Sequence, residues 1–589
     1  MRTVRILLLV VTSFLAGNSF AKQRTVTEAR NEAQAFVQSQ PALRSSVSGT
    51  LISAETGLKT PYYYVFNQPN NTGFVIIAGD DRAKTVLGYA DKGHFDVNKL
   101  PSNMKHWLAG YEHELTALAE GKITKTEDHT PQFRASSNFA ASVAPLIQSK
   151  WDQSAPYNNS CPLVPAGKQN AGTLTITGCM ATAMAQVMRY HQYPIQRTAT
   201  IPQYTTETLK ISIPAITGST TYDWANMSNT YNGSNTLIQN IAVATLMYHC
   251  GVAVEMDYNV AAVGGSAATT YSPAAALTDI FGYDPNLQYY TRNFYSDAEW
   301  MNLIKTDLNA NRPLLYSGQS ARNGGHQFIC DGYDTNDYFH FNWGWSGEYD
   351  GYFVSSALNA GWLGGDGFNW SQVILTGIQP PNASSTPPPY QIVADTTIWT
   401  SATTIPRNGI FDLQTKLVRN LGANIVPADS YLGFGLYNSD QVLVDITGAK
   451  VPFAMSLSVA VSFENFFTSV YFPAEIPNGD YRLCIIHSLD GVTWTKVRVN
   501  QQYAPYLPVT LTSSNIIFTQ YTNIETLVVP SQQTIQAIAI VDIMGRTVLK
   551  QAVKSAGDIP NLINQLPGGI YILQKKTESG VSSEKFIKK

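Results

Sequence analysis

Between Gln379 and Pro389 the chain reads Gln-Pro-Pro-Asn-Ala-Ser-Ser-Thr-Pro-Pro-Pro, and this stretch separates two parts of different character. Proline fixes φ and has no N–H, so five prolines in these eleven residues exclude both a helix and a central strand. The segment is expected to be an extended, semi-rigid linker with few contacts across it. Before it, helical and strand-like apolar patterns alternate. After it, short apolar runs are broken by Asn408-Gly409, Asn478-Gly479 and Asp490-Gly491, turn pairs of the hairpin type, which predicts all-β structure. A length of 589 residues suggests about four compact units.

Composition narrows the function. Charged residues are 14% of the chain and the formal net charge is −3, so no broad footprint for nucleic acid or for an anionic membrane surface is expected. Hydrophobic residues at 44% exclude disorder as the main state. Five cysteines cannot form a disulfide scaffold, and the odd number leaves at least one thiol unpaired. Arg2 and Arg5 precede an apolar run from Ile6 to Leu15, and Ser19-Phe20-Ala21 follows. That is the pattern of a secretory signal cleaved after Ala21, too short to span a bilayer. With no other long apolar segment, no stable membrane span is expected.

Residues 22–125 read as a small α+β unit. Ala29, Ala33 and Phe36 share a helical face. Tyr62 to Phe66 and Phe74 to Ala78 are strand-like and joined by Asn70-Asn71-Thr72-Gly73, and Met104, Trp107, Leu108, Tyr111 and Leu115 then follow helical spacing. Residues 126–143 lie in a polar stretch that suits a protease-accessible activation linker. Residues 144–378 carry the chemistry.

Thr177-Gly178-Cys179-Met180-Ala181 opens a helix running to His191, in which Ala181, Ala185 and Met188 share a face. A thiol in the first helical turn meets free N–H groups and the positive dipole end, which favours thiolate, and Gly178 leaves room for a substrate backbone. Gly324-Gly325-His326-Gln327-Phe328 places a histidine with backbone clearance at a sheet edge. Sixteen residues after His326, Phe341-Asn342-Trp343-Gly344 delivers an asparagine followed by an indole. Cys, His and Asn in this order are the cysteine-protease form of nucleophile, base and orienting group. Cys179 is the candidate nucleophile and His326 the base. Asn342 would accept from the imidazole N–H, and Trp343 would shield that bond. Gln153, in Asp152-Gln153-Ser154-Ala155-Pro156-Tyr157-Asn158, and the Cys179 N–H would hold the oxyanion. His191, His340, Cys161, Cys250 and Cys330 read as packing or surface residues. No C-x-x-C or H-x-x-x-H pair occurs, so neither a metal nor a cofactor is expected.

With these motifs in order, residues 22–378 resemble a streptopain-family cysteine peptidase in its zymogen form. The resemblance implies a papain-like α+β catalytic domain with Cys179, His326, Asn342 and Gln153 in the roles given above. It also implies a preference for an apolar residue two positions before the scissile bond. The segment around Gly73 to Asp80 and Leu87-Gly88-Tyr89 is similar to the family's prodomain, implying an inhibitor carried in the chain. Leu363-Gly364-Gly365-Asp366-Gly367-Phe368 is similar to its mobile loop beside the cleft. At the other end, Ile540 to Arg546, Leu566 to Leu573 and Lys585-Phe586-Ile587-Lys588-Lys589 resemble a type IX secretion sorting domain.

The expected organisation is therefore a signal peptide (1–21), inhibitory prodomain (22–125), activation linker (126–143), papain-like peptidase domain (144–378), Pro-rich linker (379–389), immunoglobulin-like β-sandwich (390–510) and sorting sandwich (514–589). The expected partners are protein and peptide substrates, the chain's own prodomain and the type IX secretion machinery, with no nucleic acid. The product is expected at the cell surface or outside the cell. A surface adhesin with an inactive papain-like domain is the alternative. The intact Cys/His/Asn set argues against it.

Overall fold

The computed structural model describes residues 23–40, 43, 51–54, 62–120, 139–270, 272–320, 324–357, 372–383, 385, 390–400, 403–452, 462–501, 503–519, 537–542, 547–552, 569–577 and 580–588. The signal segment, most of the activation linker and the Gly-rich stretch from Leu363 to Phe368 lie outside these residues. Among them, no helix is long and apolar enough to cross a membrane.

A ten-stranded sheet organises the N-terminal two thirds. Its strands are β1 (Ile52–Ala54), β2 (Tyr63–Asn67), β3 (Phe74–Ala78), β4 (Val86–Ala90), β5 (Gln288–Thr291), β6 (Leu314–Ser320), β7 (Gly324–Tyr333), β8 (Phe339–Asn342), β9 (Gly351–Phe353) and β10 (Val373–Thr376). They lie in the order β1-β2-β3-β4-β9-β8-β7-β6-β10-β5. The turn before β3 has Asn70 and Asn71 at positive φ, a conformation asparagine tolerates better than most residues. Helix α1 (Val26–Ser39) starts with a capping box between Thr25 and Glu28 and buries Ala29, Ala33 and Val37.

One face of the N-terminal region closes a core of its own between α1 and the sheet, with Ala29, Ala33, Val37, Phe66, Val75 and Ile77 buried. Its other face shares a core with the following domain. Strand β4 pairs with β9 through Tyr352↔Tyr89 and Phe353↔Gly88, so its sheet continues into that of residues 144–378. Helix α2 (Ser102–Ala119) brings Met104, Trp107, Leu108 and Tyr111 into one apolar cluster with Tyr316, Phe328, Phe341 and Trp343. The helical spacing is as expected. What it packs against is the other domain's sheet.

Helix α3 (Cys179–His191) is buried at every residue from Met180 to Met188. Its small side chains allow close approach by α4 (Leu237–Ala253) on one side and the sheet on another. Helix α5 (Asp297–Asn309) starts on a Ser296–Glu299 capping box. All five cysteines are free thiols, and Cys161, Cys250, Cys330 and Cys484 are buried.

Residues 390–518 form two facing sheets around their own core. One contains Ile392–Ala394, Phe411–Asn420, Ser462–Val470 and Arg498–Val499. The other is built on Tyr431–Tyr437, Gly479–Ser488 and Leu507–Leu511. Four antiparallel strands at 537–542, 547–552, 569–577 and 580–588 make a separate sheet at the C-terminal end.

The expectation of few contacts across the Pro-rich segment is corrected: across it Gln288 Oε1 accepts from Ala423 N at 3.0 Å and Arg498 pairs with Glu299 at 2.9 Å, and the segment itself is tied to the peptidase. Asp284 Oδ2 accepts from Gln379 Nε2 at 3.3 Å, from Asn382 N at 3.0 Å and from Ser385 Oγ. Proline content predicts an extended backbone. It does not forbid the segment's few polar side chains and N–H groups from binding a neighbouring carboxylate.

Candidate active site

Cys179 is the first residue of α3, after Gly178 at φ 85°, ψ 144°. A Cβ at Gly178 would lie 2.6 Å from Met256 Sδ and 3.2 Å from Ser266 O. The glycine is needed because the protein's own Met256 and Ser266 fill that space, which corrects the reading that it makes room for substrate. Cys179 is half-buried as a residue, and its Sγ accepts from the Gln327 N–H at 3.4 Å. Burial pushes its pKa up, opposed by the N–H groups of Gln327, Met180 and Cys179 itself. The expectation that the helix terminus favours thiolate is corrected for this state: desolvation outweighs the aligned N–H groups.

His326 is the third residue of β7, paired with Gly318 of β6 but lying beyond the end of β8, whose register with β7 begins at Ile329, so it sits at a local edge of the sheet as expected. Its ring lies 4.4 Å from that of His106 on α2, centroid to centroid. Burial first, and His106 second, push its pKa down to about 4. Asn342 ends β8 opposite Ile329, three residues along β7 from His326. Among the described residues no hydrogen bond joins His326 to Cys179 or to Asn342. The Asn342 amide is occupied elsewhere: its Oδ1 accepts from Gln186 Nε2 at 3.1 Å and Gly344 N at 3.0 Å, and its Nδ2 donates to Ser149 O at 3.0 Å. The expected His–Asn bond is thus corrected for this state, in which His326 rests against the N-terminal region.

Gln153 is buried, and its carbonyl accepts from Thr177 N at 3.1 Å, fixing its loop beside the turn that leads into Cys179. Trp343 is fully buried among Trp107, Phe328, Phe341 and Phe353 and donates from Nε1 to Tyr349 O at 2.9 Å. Its carbonyl accepts from Asn103 Nδ2 of α2 at 2.6 Å. His340 pairs with Asp331 at 2.6 Å inside the fold.

Sequence reasoning missed Gln186, Asn103 and His106. Gln186, two turns after Cys179 and fully buried, accepts from Ser149 Oγ at 3.0 Å and Trp151 N at 3.2 Å while donating to Asn342. A glutamine within an otherwise apolar buried helix was the available signal. Asn103 and His106 showed none, because their partners lie over 200 residues away in sequence.

Behind Gln327, the side chains of Tyr289, Leu315, Ser317, Val373 and Leu375 pack closely enough to leave no space for a water molecule.

Comparison with known proteins bears on this geometry. Residues 151–353 match the model of the peptidase C10 family. The chain is 33% identical over 403 residues to streptopain of Streptococcus pyogenes, covering 97% of that protein and 63% of its own length. The chain belongs to the peptidase C10 family. It is a cysteine-type peptidase, and its residues 21–115 match the Spi protease inhibitor model. Residues 518–589 match a secretion system C-terminal sorting domain, which assigns the peptidase to the cell surface or the medium. The peptidase is also 33% identical over 407 residues to the thiol protease/hemagglutinin PrtT of Porphyromonas gingivalis, spanning 45% of that longer protein. Among solved structures, a prointerpain A fragment from Prevotella intermedia is 32% identical, with 56% of this chain and 99% of that chain covered and a TM-score of 0.46.

Two measurements test this geometry. Gln186→Leu removes the group that holds Asn342, Ser149 and Trp151 together. Expected is a fall in kcat of about tenfold with KM little changed, and a Gln186→Leu/Asn342→Ala double variant no worse than Asn342→Ala alone. Additive losses would show that Gln186 does not act through Asn342. The second concerns pH. His326 has its folded pKa below the ordinary ~6.5, so its contribution to the latent form is present above 6.5 and is lost as pH falls toward 4. A Cys179→Ala precursor should lose stability over that interval, on the order of 2 kcal/mol from this group. A Cys179→Ala/His326→Gln form should lose less, and equal losses would clear His326 of the effect.

Proposed function

We propose that this chain is the latent precursor of a secreted cysteine endopeptidase that cleaves proteins through an acyl-enzyme on Cys179. His326 acts as base and Asn342 orients it. Gln153 with the Cys179 N–H stabilises the oxyanion. The observation that carries the reading is the contact between Cys179 Sγ and the Gln327 N–H, which puts the thiol one residue from His326. Nucleophilic attack needs a thiolate, and in the latent form both partners are held neutral, the thiol by burial and the imidazole by burial and His106. Departure of α2 removes His106, rehydrates the site and frees the imidazole to take the thiol proton. Reductant-dependent casein hydrolysis that stops with a thiol alkylator tests the reading. Reductant-independent hydrolysis, or none after removal of the N-terminal region, would sink it and favour the adhesin.

Residues 22–125 are the inhibitor and 126–143 hold the activating cut. The papain-like unit is 144–378. A preference for an apolar residue two positions before the scissile bond is the specificity that the family resemblance implies. The module from 390 is immunoglobulin-like and runs through its last strand, Asn515–Phe518, which moves the start of the type IX address from the expected 514 to about 518. Deleting Gln520 to Lys589, which spares the sandwich's last strand Asn515–Phe518, should leave peptidase activity unchanged and trap the protein in the periplasm of its host. Normal appearance of the deleted form in the medium or on the surface would make the tail an adhesive module instead.

A further inference from the structure

Between Asn342 and β9 the chain makes a turn that its backbone would not hold unaided. Gly344, Ser346, Gly347 and Tyr349 stand at positive φ, at 75°, 54°, 80° and 63°. For the serine and the tyrosine this conformation is sparsely populated and persists only where the surroundings over-determine it. Much of that restraint comes from one segment, residues 149–154, which carries Gln153.

Two links join the turn to this segment. In the first, the buried Asp350 carboxylate accepts from Trp343 N at 3.0 Å through Oδ1 and from Lys150 Nζ at 2.7 Å through Oδ2. The turn also wraps the lysine stem, since a Cβ at Gly347 would lie 2.6 Å from Lys150 Cδ. A buried carboxylate separated from its cation is costly, so this link resists slackening. In the second, Ser346 donates from N to Trp151 O at 3.0 Å and from Oγ to Asp152 Oδ2 at 3.0 Å. The other Asp152 oxygen accepts from the N–H groups of Gln153 and Ser154. Gln153 is thereby held on both sides of its Cα, its N–H by Asp152 and its carbonyl by Thr177 N, two residues before Cys179. All these residues lie within 144–378, so departure of α2 removes neither link.

We propose that Lys150, Asp152 and Asp350 are positioning residues of the peptidase reaction: they fasten the Gln153 loop to the turn after Asn342 and so fix the oxyanion donor relative to the thiol and its base. The proposal rests on the reading of Gln153 as that donor. The oxyanion develops only on the way to the tetrahedral intermediate, so the loss on loosening the links falls on kcat rather than KM.

The test uses the full chain after activation, an amide substrate, and active sites counted by thiol alkylation. Gln153→Ala should lower kcat about 10²-fold. Lys150→Met keeps the stem against Gly347 and removes the charge, and kcat should fall about tenfold with KM little changed. Added to Gln153→Ala it should cost nothing more, because the donor it places is gone. Lys150→Arg should restore part of kcat. The rate of Cys179 alkylation by iodoacetamide, which forms no oxyanion, should match wild type in each variant. Ser346→Ala cuts the second link alone and serves if Lys150→Met does not fold, with a loss of about threefold that is likewise absent in the Gln153→Ala background. Unchanged kcat in Lys150→Met and Ser346→Ala, or losses additive with that of Gln153→Ala, would show the links to be structural only and leave the oxyanion reading intact. Slowed alkylation in Lys150→Met would place its effect on the Cys179–His326 pair and overturn the proposal. An unchanged kcat in Gln153→Ala would overturn the oxyanion reading and the proposal with it.

Discussion

Purified Cys179→Ala protein should show no casein hydrolysis above background, a loss on the order of 10⁶-fold in kcat, and should accumulate as uncut precursor if the first activating cut is its own. Alanine suits the site structurally. It has the highest helix propensity, and Ala181, Ala183 and Ala185 already populate the same buried helix. The substitution removes the 3.4 Å hydrogen bond from Gln327 N, worth about 1 kcal/mol at most. Fold and chemistry are therefore separable at this position. Near-native thermal stability with no activity is the expected pair of results, measured by calorimetry and a casein assay. Appreciable hydrolysis by this variant would remove Cys179 as the nucleophile.

Trp107→Ala should release the latency of the precursor. The Trp107 ring is 1% exposed and meets Phe341, Phe328, Tyr316 and Trp343 at centroid distances of 4.9, 5.8, 5.8 and 6.2 Å. Its Nε1 donates to the Tyr111 hydroxyl at 2.8 Å, which in turn reaches the Val354 carbonyl at 2.5 Å. Loss of a buried indole costs about 3–5 kcal/mol, and here most of it falls on the joint between α2 and the catalytic sheet. Each ~1.4 kcal/mol is a factor of ten in the opening equilibrium, so the open fraction should rise by roughly 10²-fold or more. The variant precursor should then hydrolyse substrate before any cut and mature faster than wild type. A Trp107→Ala precursor that stays silent until cleaved would mean that latency does not depend on this joint.

Both variants target residues that were legible as types in the sequence, though only one was legible in its role. Cys179, His326, Asn342 and Gln153 stood out because each is embedded in a local motif: a Gly-Cys helix start, a Gly-Gly-His strand, an Asn-Trp-Gly turn and an Asp-Gln-x-x-Pro-Tyr-Asn loop. Trp107 was legible only as a core residue on a helical stripe. That its core belongs partly to another region followed from the pairing of β4 with β9, which no local pattern encodes.

The sequence by itself determined the helix at Cys179, the strands at His326 and Asn342, the stripe of α2 and the change to β structure after Pro389. Those features follow from periodicity, capping and turn chemistry, which act over a few residues. Only the tertiary structure decided that His326 faces His106, that Gln186 rather than His326 holds Asn342, and that the thiol is pushed toward its neutral form. It also decided that the Pro-rich segment is tied to Asp284 and that the sandwich rests on β5. Each of these depends on burial and on partners distant in the chain. Desolvation and long-range contact are properties of the packed fold, and no window of sequence contains them.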